Sequence, residues 1–167
     1  MTDQAQTFEV HAERVVPVPV EQLYTAWTTP EAVGQWWGPT GFTCPVAELD
    51  VTVGGVSLVA MRAPTEFGMP DIYNTWTYDV VEPGHRLEYV SRFATPDGQH
   101  TTPSAAGIPA DGVPDAVPHI VTFASVDDQH SRVTVTELGY TTIEARNLSA
   151  AGMDQCLDKL AQHLAST

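Results

Sequence analysis

The chain has 167 residues, enough for one domain with one sizeable core. Hydrophobic residues make up 43% and charged residues 17%, which excludes a disordered composition. With 21 Asp and Glu against 7 Lys and Arg, the net charge of −14 repels phosphate backbones and lipid headgroups, so nucleic acid is not an expected partner.

Residues 1–7 carry no structural pattern and are read as a flexible tail. They also lack the basic and apolar segments of a secretory signal, so a cytoplasmic location is expected. Residues 8–16 alternate with period two: Phe8, Val10, Ala12 and Arg14 share one face, and Glu9, His11 and Glu13 the other. Pro17 ends this strand, and Pro19 suits the start of a helix in which Val20, Leu23, Tyr24 and Trp27 recur at helical spacing. Thr29-Pro30-Glu31 reads as a second helix start, with Thr29 as N-cap and Pro30 at the first turn. That helix ends at Trp36-Trp37, where Gly38-Pro39 stops it.

Strands are then expected over Phe42 to Asp50, Val56 to Met61, Ile72 to Val81 and Arg86 to Phe93, with turns at Gly54-Gly55 and Glu82-Pro83-Gly84-His85. Residues 94–118, with five prolines and three glycines, form a long loop. His119 to Val126 and Arg132 to Tyr140 give two more strands. Met153, Cys156, Leu157, Leu160 and Leu164 make a helical stripe, predicting a helix over 148–165 with Ser149 as its cap. Many antiparallel strands with segregated helices define the α+β class.

Several stretches together resemble the Hsp90 ATPase activator homologue-like family of the START-like, or Bet v 1-like (SRPBCC), superfamily. They are Leu23-Tyr24-Thr25-Ala26-Trp27-Thr28-Thr29-Pro30-Glu31, Trp36-Trp37-Gly38-Pro39, Gly41-Phe42, and Asp50 followed by Gly54-Gly55. Tyr78 to Pro83 before Arg86-Leu87, Val133 to Thr136, and Gly152-Met153 with Leu157-Asp158-Lys159-Leu160 extend the match to about residue 165. The resemblance implies a helix-grip fold for residues 8–167: a curved antiparallel sheet wrapping a long C-terminal helix, two short helices after the first strand, and a cavity between sheet and helix. It also implies a hydrophobic or amphipathic ligand as partner. The alternatives it offers are a polyketide cyclase- or hydrolase-like enzyme and a regulator of an Hsp90-type chaperone. The chaperone reading is ranked last, because the chain is expected to lack the further N-terminal domain of full activators. Two departures stand out: Met153 where Gly-Trp is frequent, and a longer loop at 94–118.

On this reading the cavity is lined by Trp37, Phe42, Met61, Trp76, Tyr78, Tyr89, Phe93, His119, Phe123, Met153 and Leu157. Each of these is also an ordinary core residue, and aromatic rings dominate core packing in general. Of the tryptophan pair, one ring is expected in the core and the other at the cavity. His119 needs a partner to act as a base; Tyr73, Asn74 and Arg92 are the candidates, and Tyr89 and Arg92 would orient a substrate. Arg62 and Glu66 are read as solvated rather than paired. Cys44 and Cys156 have no metal or redox spacing and are expected as buried thiols. No histidine pair or Cys/His set has ligand spacing, so neither a metal nor a cofactor is expected. No apolar run reaches the ~18 residues of a membrane span. A homodimer remains open.

Overall fold

The alternation near the N-terminus becomes strand β1, Phe8–Val16, and the helical spacings become α1, Val20–Thr28, and α2, Pro30–Trp36. The computed structural model describes residues 6–109 and 111–167; most of the expected N-terminal tail lies outside them. Strands β2 (Thr43–Glu48), β3 (Val56–Arg62), β4 (Ile72–Glu82), β5 (Arg86–Ala94), β6 (Ala116–Asp127) and β7 (His130–Tyr140) follow, and helix α3 runs from Ile143 to Ala165. All seven strands form one antiparallel sheet in the order β1-β7-β6-β5-β4-β3-β2. The sheet curls around α3, which is the expected helix-grip α+β fold. Among the described residues, no helix is long and apolar enough to cross a membrane.

Alternation decides what the concave face carries. Leu87, Val121, Val135 and Ala12 lie side by side across β5, β6, β7 and β1. Phe123 and Val133 extend this apolar layer toward α1. Against it α3 lays Met153, Cys156, Leu157, Leu160 and Leu164, the stripe read from the sequence. The helix begins five residues earlier than expected. Thr142 is its cap, the hydroxyl accepting the Ala145 N–H at 3.1 Å, and Ala145 continues the buried stripe by two turns. Ser149, expected as the cap, instead sits inside the helix and faces the sheet.

Polar contacts fix the helix on both flanks of its apolar stripe. Arg14 on edge strand β1 points inward and pairs with both Asp154 and Asp158. On the other flank Lys159 Nζ donates to the Phe42 carbonyl at 2.7 Å, and Gln155 Oε1 accepts the Thr40 N–H at 3.0 Å. Apolar burial is non-directional; these bonds set the helix's rotation and height over the sheet. The loop they hold starts at Gly38, whose φ of +111° and 3.1 Å approach of an added Cβ to Phe42 admit no side chain.

The second helix start differs in detail. Thr29 occupies the N-cap position of α2, but its hydroxyl donates back to the Thr25 carbonyl at 2.9 Å and so closes the end of α1. Both rings of the tryptophan pair are buried, Trp36 fully and Trp37 at 6% exposure. Trp36 Nε1 donates to the Ala26 carbonyl at 2.9 Å, locking α2 onto α1. Trp37 Nε1 has no partner among the described residues. The long loop connects Ala94 to Ala116, and its end is docked: Gly112 accepts the Thr141 N–H at 3.0 Å, and a Cβ there would meet Thr142 Oγ1 at 2.1 Å.

The tryptophan asymmetry has a measurable consequence. Trp36→Phe breaks a buried hydrogen bond and strands a carbonyl, whereas Trp37→Phe removes an unpaired donor. Trp36→Phe should cost about 1–2 kcal/mol more in urea unfolding than Trp37→Phe; equal costs would show that the Trp36 bond contributes nothing.

Candidate functional site

Beside the apolar layer runs a second row across the concave face. Tyr78 on β4 pairs with Tyr89 on β5, Tyr89 with His119 on β6, His119 with Glu137 on β7, and Glu137 with Val10 on β1. Four neighbouring inward positions therefore carry polar groups, all less than a tenth exposed.

Each member is held differently. Tyr78 OH lies 2.9 Å from Ser57 Oγ, and burial raises its pKa to about 12. The Tyr89 ring is sandwiched between Trp76, centroid 5.1 Å away, and His119, 5.0 Å away and nearly parallel. Burial pushes the Tyr89 phenol far above its ordinary range. The Trp27 indole N–H lies near enough to the Tyr89 hydroxyl to offset part of that rise, yet the two groups do not meet as a hydrogen bond. His119 Nδ1 lies 2.9 Å from the Val117 carbonyl, which fixes the ring and turns Nε2 toward Glu137 Oε1 at 3.6 Å.

Glu137 is the centre of the cluster. Tyr140 OH donates to its Oε1 at 2.6 Å, and Ser149 Oγ on α3 lies 3.0 Å from the same oxygen and 2.7 Å from the tyrosine. Burial beside this carboxylate raises the Tyr140 phenol far above its ordinary range. The other oxygen, Oε2, is buried without a partner among the described residues. Buried polar atoms without partners are rare and cost about 1–3 kcal/mol each. Four of those on this chain, Glu137 Oε2, Tyr89 OH, Trp27 Nε1 and Trp37 Nε1, belong to side chains packed inside the grip; a fifth, Thr75 Oγ1, lies on the other face of β4 from Trp76.

Of the residues expected to line a cavity, Trp37, Trp76, Tyr78, Tyr89, His119, Phe123, Met153 and Leu157 are buried inside the grip, and Phe42, Met61 and Phe93 are half-buried. Their rings touch in series: Trp36 to Trp37 at 5.6 Å, Trp37 to Trp76 at 5.0 Å, then Trp76 to Tyr89. The expected partners of His119 are not its partners. Tyr73 and Arg92 flank inward residues and so face the convex side, and Asn74 stands two strands away on β4. The partner is Glu137, for which the sequence held a signal: in Val133-Thr134-Val135-Thr136-Glu137 the carboxylate occupies an inward position of an alternating strand. Arg62 and Glu66 do not pair with each other; Arg62, still exposed, pairs with Asp71 through two bonds of 3.0 and 2.9 Å, and the guanidinium holds the Asp71 carboxyl below its usual range. Two open surface grooves of about 420 and 460 Å³ lie at the α1–α3 end, between residues such as Gln22 and Leu164, and none of the expected cavity residues lines them.

Buried Cys156 and Tyr78 share a pH consequence. Burial lifts Cys156 from 9.0 to about 12 and Tyr78 from 10.0 to about 12. The unfolded chain releases these protons at lower pH than the folded chain does. Stability from these groups is therefore complete below about pH 9 and lost as pH rises toward about 12, with Tyr89 and Tyr140 acting in the same direction. The urea midpoint should fall across that window, and less steeply in Cys156→Ala; a flat midpoint would contradict the burial.

A buried polar row gripped between curved sheet and C-terminal helix, closed at one end by two short helices, defines the chain as a START-like α+β domain. The chain belongs to the family described as Activator of Hsp90 ATPase homolog 1-like protein, whose model matches residues 17–165. Among solved structures, it is similar to a Chromobacterium violaceum protein, with 25% identity, 93% of this chain and 96% of that chain covered, and a TM-score of 0.71. It is also similar to the AHSA1 protein of Silicibacter pomeroyi, at 18% identity, 95% and 99% coverage and a TM-score of 0.74. A Staphylococcus epidermidis protein shares 23% identity over 99% and 94%, with a TM-score of 0.73. No protein of curated description matches the sequence significantly.

Proposed function

We propose that this protein binds a small hydrophobic or amphipathic molecule between the sheet and α3. The observation that carries this reading is the set of four unpartnered polar atoms inside the grip, on Glu137, Tyr89, Trp27 and Trp37. A core selected only for stability would replace such groups with apolar ones. Retained polar atoms among large rings fit a binding site, where apolar walls hold a ligand's body and a few polar groups orient it. Membership of a START-like family supports the same reading. Entry requires the half-buried rim of Phe42, Met61 and Phe93 to give way, since the rings inside already touch.

One observation favours a second reading, an enzyme of the cyclase or hydrolase kind. His119 is fixed by Val117 and faces Glu137, whose own position is set by Tyr140 and Ser149. A titratable pair oriented by further hydrogen bonds is the arrangement general acid–base chemistry uses. The chaperone reading rests on the family name alone and is not advanced.

The four indole N–H signals of the nitrogen-labelled protein test the binding reading. A panel of apolar and amphipathic aromatic compounds should include members that shift the Trp27 signal, beside Tyr89, and the Trp37 signal, neither of whose donors has a hydrogen-bond partner among the described residues. The Trp36 signal, already bonded to Ala26, should move little. A panel that leaves Trp27 and Trp37 unmoved would remove the reading.

A further inference from the structure

We infer that Glu137 Oε2 is the selective element of this interior, and that the ligand it selects carries a hydrogen-bond donor, an alcohol, phenol or amine, on an aromatic or alicyclic body. This rests on the binding reading above and names the class of ligand.

The two carboxyl oxygens of Glu137 have unlike surroundings. Oε1 accepts from Tyr140 OH at 2.6 Å and Ser149 Oγ at 3.0 Å, while His119 Nε2 stands 3.6 Å away. The two donors come from β7 and α3, so the carboxyl group is held by two separate elements. Oε2 is buried with no partner among the described residues. A carboxylate is an acceptor only, so what completes this oxygen is a donor. A bond to a charged acceptor inside a protein is stronger than one between neutral groups.

The surroundings restrict what can bring that donor. The Tyr89 ring, stacked on His119 and Trp76, and Tyr140 form flat walls on the same face. Gly152 on α3, one turn beyond Ser149, is half-buried, and a Cβ there would meet nothing outside its own helix within 4 Å. Flat walls and one unfilled acceptor suit a ring with a single donor. On α3, Lys159 is engaged with the Phe42 carbonyl and Arg146 with Asn147 and the Glu9 carbonyl, so a carboxylate ligand would meet Glu137 with both cations of this helix already spent.

The near-isosteric pair 1-indanol and 1-indanone tests the inference, with Kd read from titration of the Trp27 and Trp37 indole signals. The alcohol can donate and the ketone cannot. Wild type should bind the alcohol at least about tenfold more tightly, because the ketone leaves Oε2 unpaired and sets two acceptors against each other. Glu137→Gln keeps an oxygen for Tyr140 and Ser149 and turns the free position into an NH₂ donor, so the preference should collapse to within about twofold. Equal binding of both probes by wild type overturns the inference and leaves interior binding standing. Preference for the ketone also overturns it. If neither probe moves either signal, inference and binding reading fall together. Should Glu137→Gln fail to fold, the wild-type comparison decides alone.

Discussion

The rings of Tyr24, Phe123, Trp27, Trp36, Trp37, Trp76 and Tyr89 touch in an unbroken series, with centroids 4.8 to 6.1 Å apart, and His119 ends it at 5.0 Å from Tyr89. That series ties α1 and α2 to the middle of the sheet. Aromatic pairs in tilted or edge-on contact each contribute about 0.5–1.5 kcal/mol beyond the area they bury. Here they do a second thing: each ring's position is set by the next, so the seating of Trp36 on Ala26 is felt at Tyr89. The two short helices are too brief to be stable alone, and their order comes from this contact with the sheet.

The polar row works against that gain. Placing Glu137, His119, Tyr89 and Tyr78 together at inward positions removes apolar area from the core and demands partners for each group. Tyr78 finds Ser57, His119 finds Val117, and half of Glu137 finds Tyr140 and Ser149. The rest stays unpaired. A fold that needed only to be stable would gain from leucine or phenylalanine there. Burial of the row is made possible by the ends of the domain. The satellite cluster of Val10, Val117, Tyr140 and Ala145, with Val113 from the long loop, seals the Glu137 side, and the tryptophans seal the other. The long loop, read from the sequence as longer than usual in the family, is thus part of the wall.

Periodicity made the main elements legible: the seven strands and three α-helices lie where alternation, helical spacing or a Gly/Pro turn placed them, with shifts of a few residues at the ends, and only the short 3-10 turn at Thr65–Phe67 had no expectation. Large apolar residues at alternating positions, such as Trp76, Tyr89 and Phe123, stood out as candidates for burial, but the direction each faces depended on register. Register was not legible. Which residue of β6 stands beside which of β7 depends on turn geometry and on the bulge between Ser125 and Asp127. Only the register matches His119 to Glu137 and places Arg92 on the convex side. Ser149 misled for a related reason: serine favours helix caps locally, but here Thr142 supplies the cap and Ser149 meets Tyr140 from within the helix. Tertiary contact overrode local preference at the one helical serine that belongs to the cluster.

A crystal structure of the protein at a resolution that shows ordered solvent tests the central claim most directly. That claim is that the polar row is an orienting surface for a bound molecule. The expected result is density for a ligand or a fixed water within about 3.2 Å of Glu137 Oε2, with Tyr140 and Ser149 still directed at Oε1. A dry interior in which Glu137 has rotated to spend both oxygens on protein donors would contradict it, and would make the row a structural network with nothing left to bind.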